Sequence, residues 1–408
     1  MSKNLTIRAH NSQRRQSPSM ISKHRALLLN AFKCLLRNPT RSAIVILSLI
    51  ALLTPFVTGI AICEGIKSQY KRALEQGGDV YVARDNYGSN APIELDMIEQ
   101  IQGIQGVTHV VPRVIGRTYV KGKFLAVLGT APQYFPSSIK IIRGTAPKAK
   151  GDVLLGRKAA EFAGLEVGTL FSMKRKPAQV FKIVGLFASP CNIWNTDLLL
   201  MDFGDASDLF GLDGKATDLS VMTRPGYEEI VDIIVRLSEE EEQSGQPALR
   251  VQTRELIDRY SQRGFDIKAG VYTGFYCLVF ALGIPSIGVI SGFGLSERRR
   301  EIGVMKSLGW QTQEVLEMVA LENLLLSLLS VPFIILVAAG WIYLLNGAGI
   351  SKFFIASLDV MIPFSVPSRI FPIPVFLGTL LAIIMTMVGS IYSTWRTSIV
   401  PPSEAMKL

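Results

Sequence analysis

Residues 296–310 read Ser-Glu-Arg-Arg-Arg-Glu-Ile-Gly-Val-Met-Lys-Ser-Leu-Gly-Trp, with an apolar run on each side, Val271–Leu295 before and Leu324–Leu345 after. A charged residue near the centre of a bilayer costs roughly 2.5–3.5 kcal/mol on insertion scales. Arg298, Arg299 and Arg300 therefore mark a point where the chain has left the hydrocarbon. The stretch reads as a short cytoplasmic segment joining two membrane helices.

Outward from it, two more windows share this apolar character, Ala43–Ile62 and Val375–Tyr392. A helix rising about 1.5 Å per residue needs about 20 residues to cross the hydrocarbon core, so four spans are expected. Lys33, Arg37 and Arg41 flank the start of the first, the 296–310 cluster joins the second to the third, and Arg396 and Lys407 follow the fourth. Basic residues collect on the cytoplasmic side. Both termini are thus expected in the cytoplasm, with Glu64–Lys268 and the shorter loop Asn346–Phe371 on the opposite side.

Composition agrees with a mixed protein. At 49% hydrophobic residues over 408 positions and a mean hydropathy of +0.32, the chain is too apolar for an ordinary soluble protein and too charged to lie in a membrane throughout. The net charge of +10 sits beside apolar runs, which favours the membrane over nucleic acid as its explanation. No acidic residue precedes Glu64, so the tail is expected to be a disordered basic anchor touching anionic lipid. No cleavable secretory signal fits, since the first apolar run begins near Ala43. Cys34, Cys63, Cys191 and Cys277 are too scattered for a metal or disulfide framework.

The region between spans one and two is large enough for its own core. Strand-like runs occur at Asp79–Ala83, Val107–Val111, Lys123–Gly129, Asp152–Leu155, Val180–Phe187, Leu198–Met201, Leu219–Thr223 and Leu249–Thr253. Helical patterns occupy Glu94–Ile101, Lys158–Phe162 and Tyr227–Glu242. This order predicts an α/β domain built as a split β-α-β unit with a β-rich insertion. Cys63–Gln76 and Thr253–Arg263 keep helical character, so spans one and two are expected to continue outward as stalks. The expected divisions are a basic cytoplasmic tail 1–42, spans at 43–62, 271–295, 315–345 and 373–393, an extracytoplasmic domain 63–270, a cytoplasmic segment 296–314, an outer loop 346–372 and a cytoplasmic C-terminus 394–408.

Several chemistries lack their residues. The nearest approach to a phosphate-binding G-x-x-x-x-G-K-[ST] loop is Gly211 to Ala216, which has neither the spacing nor the hydroxyl. His10, His24 and His109 are too dispersed for a multi-histidine metal site. No G-x-S-x-G elbow occurs. The acidic run Glu239–Glu242 reads as the solvated end of a helix. No catalytic centre, bound cofactor or metal is expected of this chain.

Glu297, Arg298, Arg299, Arg300, Glu301, Ile302, Gly303, Val304, Met305, Lys306, Ser307, Leu308 and Gly309 resemble the stretch E-R-x-x-E-I-G-x-x-[KR]-A-[LI]-G that follows span two in the FtsX/MacB-like ABC transporter permease family. Weaker resemblances are Leu36–Arg41 before span one, Gly151–Gly156 with Gly164–Gly168 in the large domain, and Pro402–Met406 near the end. The chain departs from the family in span three, where Ser327, Ser330 and Pro332 stand and glycine comes late, at Gly340.

The resemblance implies a permease whose cytoplasmic segment docks on a separate ABC ATPase, which would hold the ATP and Mg. Ile302, Met305 and Leu308 recur at three-residue spacing and can anchor such a helix, with Arg299, Glu301 and Lys306 on its polar side. Gly303 and Gly309 can permit close approach or end the helix. Pro285, Gly288 and Gly292 give span two a kink candidate beside a small-residue face. The resemblance makes this face a candidate contact with a second permease copy, and packing within the chain is equally open. Glu322, near the inner end of span three, is a candidate partner for an arginine. A bacterial inner-membrane location, export or extraction of a substrate at the outer face, and a periplasmic adaptor or outer-membrane partner also follow from the resemblance. A transmembrane signalling scaffold that activates an extracytoplasmic enzyme, such as a cell-wall hydrolase, remains the alternative.

Overall fold

The computed structural model describes residues 20–120, 123–173, 179–225, 228–291, 295–355 and 365–399. The chain begins with α1 (Met20–Arg37) and α2 (Pro39–Leu74). It continues through β1 (Val80–Asn86), β2 (Ser89–Ala91), α3 (Met97–Gln102), β3 (Val107–Val120), β4 (Lys123–Gly129), β5 (Lys140–Gly144), β6 (Asp152–Gly156), α4 (Arg157–Ala163), β7 (Leu170–Met173) and β8 (Gln179–Ala188). Then come α5 (Asn192–Asp197), β9 (Leu198–Met201), α6 (Phe203–Phe210), β10 (Asp218–Thr223), α7 (Glu228–Gln243) and β11 (Leu249–Thr253). It ends with α8 (Arg254–Ser291), α9 (Leu295–Ser307), α10 (Thr312–Leu345), α11 (Ser351–Ile355) and α12 (Ile373–Ile399). Helices α2, α8, α10 and α12 are long and apolar enough to cross a membrane.

Contacts within the chain fall into two units. The first comprises the described residues of Met1–Thr54, Cys277–Ile335 and Leu377–Leu408, and the second those of Pro55–Tyr276 and Leu336–Phe376.

In the first unit the tail departs from expectation. Residues 20–37 form a helix, because Leu27, Ala31 and Leu35 fall four apart and bury one stripe. The expected structureless anchor is therefore corrected for these positions, while residues 1–19 lie outside the described residues. The break before α2 falls at Asn38, and Pro39 opens the next helix, where its missing N–H costs nothing. The Ser42 hydroxyl donates to the carbonyls of Asn38 and Leu35 at 3.2 and 3.3 Å, closing the corner.

In the second unit lies a single sheet with the strand order β11-β1-β10-β3-β4-β9-β6-β8-β5, with β2 paired to β1 and β7 to β8. Its first four strands, with α3 and α7, form a β-α-β-β-α-β module. Everything from β4 to α6 is inserted between the module's second and third strands. The joint is β3, whose residues 107–113 pair with β10 and whose residues 114–120 pair with β4. The module's core holds Val80, Val82, Met97, Ile101, Leu219, Val221, Ile230 and Ile234. The insertion has its own, around Leu125, Val153, Phe171, Phe181, Ile183 and Leu199. Alternating strand residues supply one face of each, and in the module α3 and α7 cover that face with Met97, Ile101, Ile230 and Ile234.

Candidate functional site

Helix α9 carries the arginine-rich stretch, and its end explains Gly309. The Trp310 N–H donates to the Met305 carbonyl at 3.1 Å and the Gly309 N–H to the Lys306 carbonyl at 3.0 Å, the paired bonds of a Schellman motif. The motif needs a left-handed residue at Gly309, whose φ is +92°. One residue further on, the Glu314 carboxylate accepts from the Gln311 N–H at 3.0 Å and starts α10. The turn between α9 and α10 is thus fixed by local hydrogen bonds at both ends.

The faces of α9 divide the expected anchors. Ile302 is 3% exposed and Gly303 is buried. Met305 packs with Trp310, Leu321 and Leu325 against Leu27, Ala31 and Met318, a cluster shared by α1, α10 and the turn. These residues face their own chain. Val304 and Leu308, four apart, are 45% and 75% exposed and form the apolar edge left uncovered within the chain. Glu301 pairs with Arg37 at the end of α1, and Lys306 is half-buried. The side chains of Glu297, Arg298 and Arg299 lie outside the described residues, which give only their helical backbone.

Deeper in the same unit, Glu322 of α10 pairs with Arg41 of α2 at 3.3 Å, with side chains only 4% and 14% exposed. Its neighbour Asn323 donates to the Ser390 hydroxyl of α12 at 2.5 Å. Ser327 and Ser330 bury their hydroxyls by bonding to the carbonyls of Leu324 and Ser327. Span three is tied to α2 by Glu322 and to α12 by Asn323, while its serines bond carbonyls of their own helix. Gly288 lies against α12, and a Cβ on it would sit 2.9 Å from the Gly389 carbonyl oxygen. This contact brings two backbones together inside the chain. Pro285 lies on an exposed stripe of α8 with Leu278, Leu282 and Val289. Gly292 lies outside the described residues.

In the second unit the outward parts of α2 and α8 run as an antiparallel pair. Gly59 admits the Tyr272 ring, which a Cβ would meet at 2.3 Å, and the Tyr272 hydroxyl donates to the Pro55 carbonyl at 2.6 Å. Lys67 meets Asp266 at 2.5 Å, and the Ser261 hydroxyl donates to Tyr70 Oη at 2.6 Å. At the end of the pair Arg254 caps the chain entering β1. It donates to the carbonyls of Gly77 and Gly78 at 2.9 and 3.2 Å and pairs with Asp79 at 2.9 Å. These contacts join the expected stalks to the sheet. Their partners stand about 200 residues apart, which is why only helical continuity was visible in the sequence.

An ion cluster braces the domain. Arg84, 6% exposed at its side chain, bonds Glu94 at 3.0 Å and Glu241 at 2.8 Å. Burial alone pushes the Glu94 carboxyl up, but hydrogen bonds from Lys215, its own backbone N–H and Arg84 outweigh this and hold its pKa at about 2. Asp197 behaves oppositely. Burial pushes it up to about 6, against the pull of the Arg117 charge and its own backbone N–H.

Residues 42–244 match the family described as MacB-like periplasmic core domain, and residues 273–402 match FtsX-like permease C-terminal. An uncharacterized ABC transporter permease of Methanocaldococcus jannaschii is 24% identical over 160 residues, which is 39% of this chain and 39% of that relative's length. Among solved structures, the periplasmic region of MacB from Actinobacillus actinomycetemcomitans is 13% identical, over 46% of this chain and 95% of that one, with a TM-score of 0.35. The extracellular domain of the ABC-type transporter YknZ from Gram-positive bacteria is 15% identical, over 43% of this chain and 99% of that one, with a TM-score of 0.34.

Proposed function

Because this chain belongs to the FtsX/MacB-like family of ABC transporter permeases, we propose that it works as the membrane subunit of a system driven by a separate ABC ATPase. In this reading the termini and α9 face the cytoplasm of a bacterial cell, and the α/β domain lies beyond the inner membrane. The ATPase grips α9. The observation that carries this is the split of α9: Ile302 and Met305 face their own chain while Val304 and Leu308 remain exposed on a helix whose end is pinned at Gly309. An exposed apolar pair on a fixed helix, with charges beside it to set register, suits docking into a partner's groove.

A second permease copy would pack on the exposed stripe of α8, Leu278, Leu282, Pro285 and Val289. Closure of the ATPase pair would then shift α9, and α2 and α8, which contribute residues to both units, would pass the movement to the stalk. The expected output is export or extraction of a substrate at the outer face. A spin label at the exposed Lys71 on the stalk, in proteoliposomes holding the chain and its ATPase, reports the distance between copies. The distance distribution is expected to shift on ATP binding, and identical distributions with and without ATP would count against mechanical coupling.

A further inference from the structure

A cavity of about 320 Å³ opens where the end of α2 meets the sheet, and nothing in the coupling scheme uses it. We propose that it is a binding site for a small uncharged ligand with an aromatic or aliphatic body and a single hydrogen-bonding group. Its volume is at the lower end of the range of small-molecule sites. Tyr70, Tyr134 and Trp194 line it together with Leu74, Leu128 and Met222, so most of its wall is ring face and hydrocarbon.

The charge of the ligand follows from an ion pair in the wall. Among the described residues Arg113 and Asp218 are the charged lining residues, and they satisfy each other through two bonds of 2.8 and 3.0 Å. The guanidinium also stacks on the Tyr81 ring, 4.4 Å from its centroid. A charged ligand would have to break this arrangement and leave one member unpaired, whereas a neutral one would not. Gln76, Ser220 and Gln252 supply amide and hydroxyl groups for one hydrogen bond.

The position gives the site its consequence. Its wall draws on the stalk, on the β-α-β-β-α-β module, on the insertion and, through Ile257, on the start of α8. An occupant therefore touches every part that meets at the stalk. The site stands apart from the ATPase reading, because binding to it needs no nucleotide.

The test is photolabelling of the full chain in lipid nanodiscs with benzophenone, followed by peptide mapping, with benzophenone-4-carboxylate as the charged analogue. Saturable labelling is expected on peptides holding Tyr70 and Met222, with the carboxylate labelling them at least tenfold less. Ala73→Trp, which fills the cavity from α2, is expected to lower this labelling at least tenfold. Tyr134→Ala, which removes a ring face without filling, should weaken saturation. Labelling of α10 peptides, unchanged in the variants, shows that they are folded; should Ala73→Trp fail that check, Tyr134→Ala decides. Non-saturable labelling, equal labelling by the carboxylate, or cavity labelling unchanged in a folded variant would overturn the proposal.

Discussion

At the residue scale, Arg41 and Glu322 form a buried ion pair in the first unit, with side chains 14% and 4% exposed. Removing one member of a buried ion pair typically costs about 3–5 kcal/mol. Glu322→Gln is therefore expected to lower the thermal midpoint of the detergent-solubilised protein markedly. Arg41→Gln in the same chain should recover much of the loss, because both charges are then gone. Simple addition of the two single effects would show that the pair is not coupled. The α/β domain carries an opposite pair of pH signatures. Asp197 holds its proton in the folded state up to about pH 6, above its ordinary 3.8, so its contribution to stability falls as pH rises from about 4 to 6 and then stays low. Asp197→Asn should stabilise the domain above pH 6, by at most about 3 kcal/mol, and change little at pH 4. Glu94, held at about 2 against an ordinary 4.5, has the reverse sign. Its contribution is present above pH 4.5 and lost as pH falls toward 2, and solvent exposure limits it to about 1 kcal/mol.

At the element scale, α9 depends on the way it ends. Gly309→Ala forces a Cβ onto a backbone at φ +92° and should cost about 1 kcal/mol or more. The expected result is a frayed α9 terminus, seen as faster hydrogen exchange at Leu308, Gly309 and Trp310 with α12 unaffected. Much of this element was legible beforehand: the charges placed it between spans, and its glycine marked the stop. The division of its apolar residues was not, because Ile302, Met305 and Leu308 look alike at three-residue spacing until Ile302 is seen to be buried and Met305 to pack against α1. Helix α1 itself was hidden by its basic residues, which read as a topology signal while Leu27, Ala31 and Leu35 supplied the packing. Among strands, the alternating or wholly apolar runs were found, whereas β2, β5 and β7 were missed. They are short, and β5 exposes all five residues, so it carries no burial pattern.

At the scale of the whole molecule, the order of strands and helices in the large domain revealed an insertion into a β-α-β unit because each piece has its own alternating core. Four apolar windows were equally plain. What no window could show was the pairing of α2 with α8 through Gly59, Lys67 and Tyr70, or the seat of Gly288 on α12, since these join positions far apart in sequence. Coupling requires α9 to be the handle by which a separate ATPase moves this chain. The direct measurement is the ATP turnover of that ATPase reconstituted with the full chain carrying Val304→Glu and Leu308→Glu, beside the unaltered chain. Both changes fall on the exposed edge and should leave insertion and thermal stability intact, while the charges forbid an apolar groove. The ATPase is expected no longer to co-purify with the variant, and its stimulation to be lost. Full stimulation by a correctly inserted variant would contradict this.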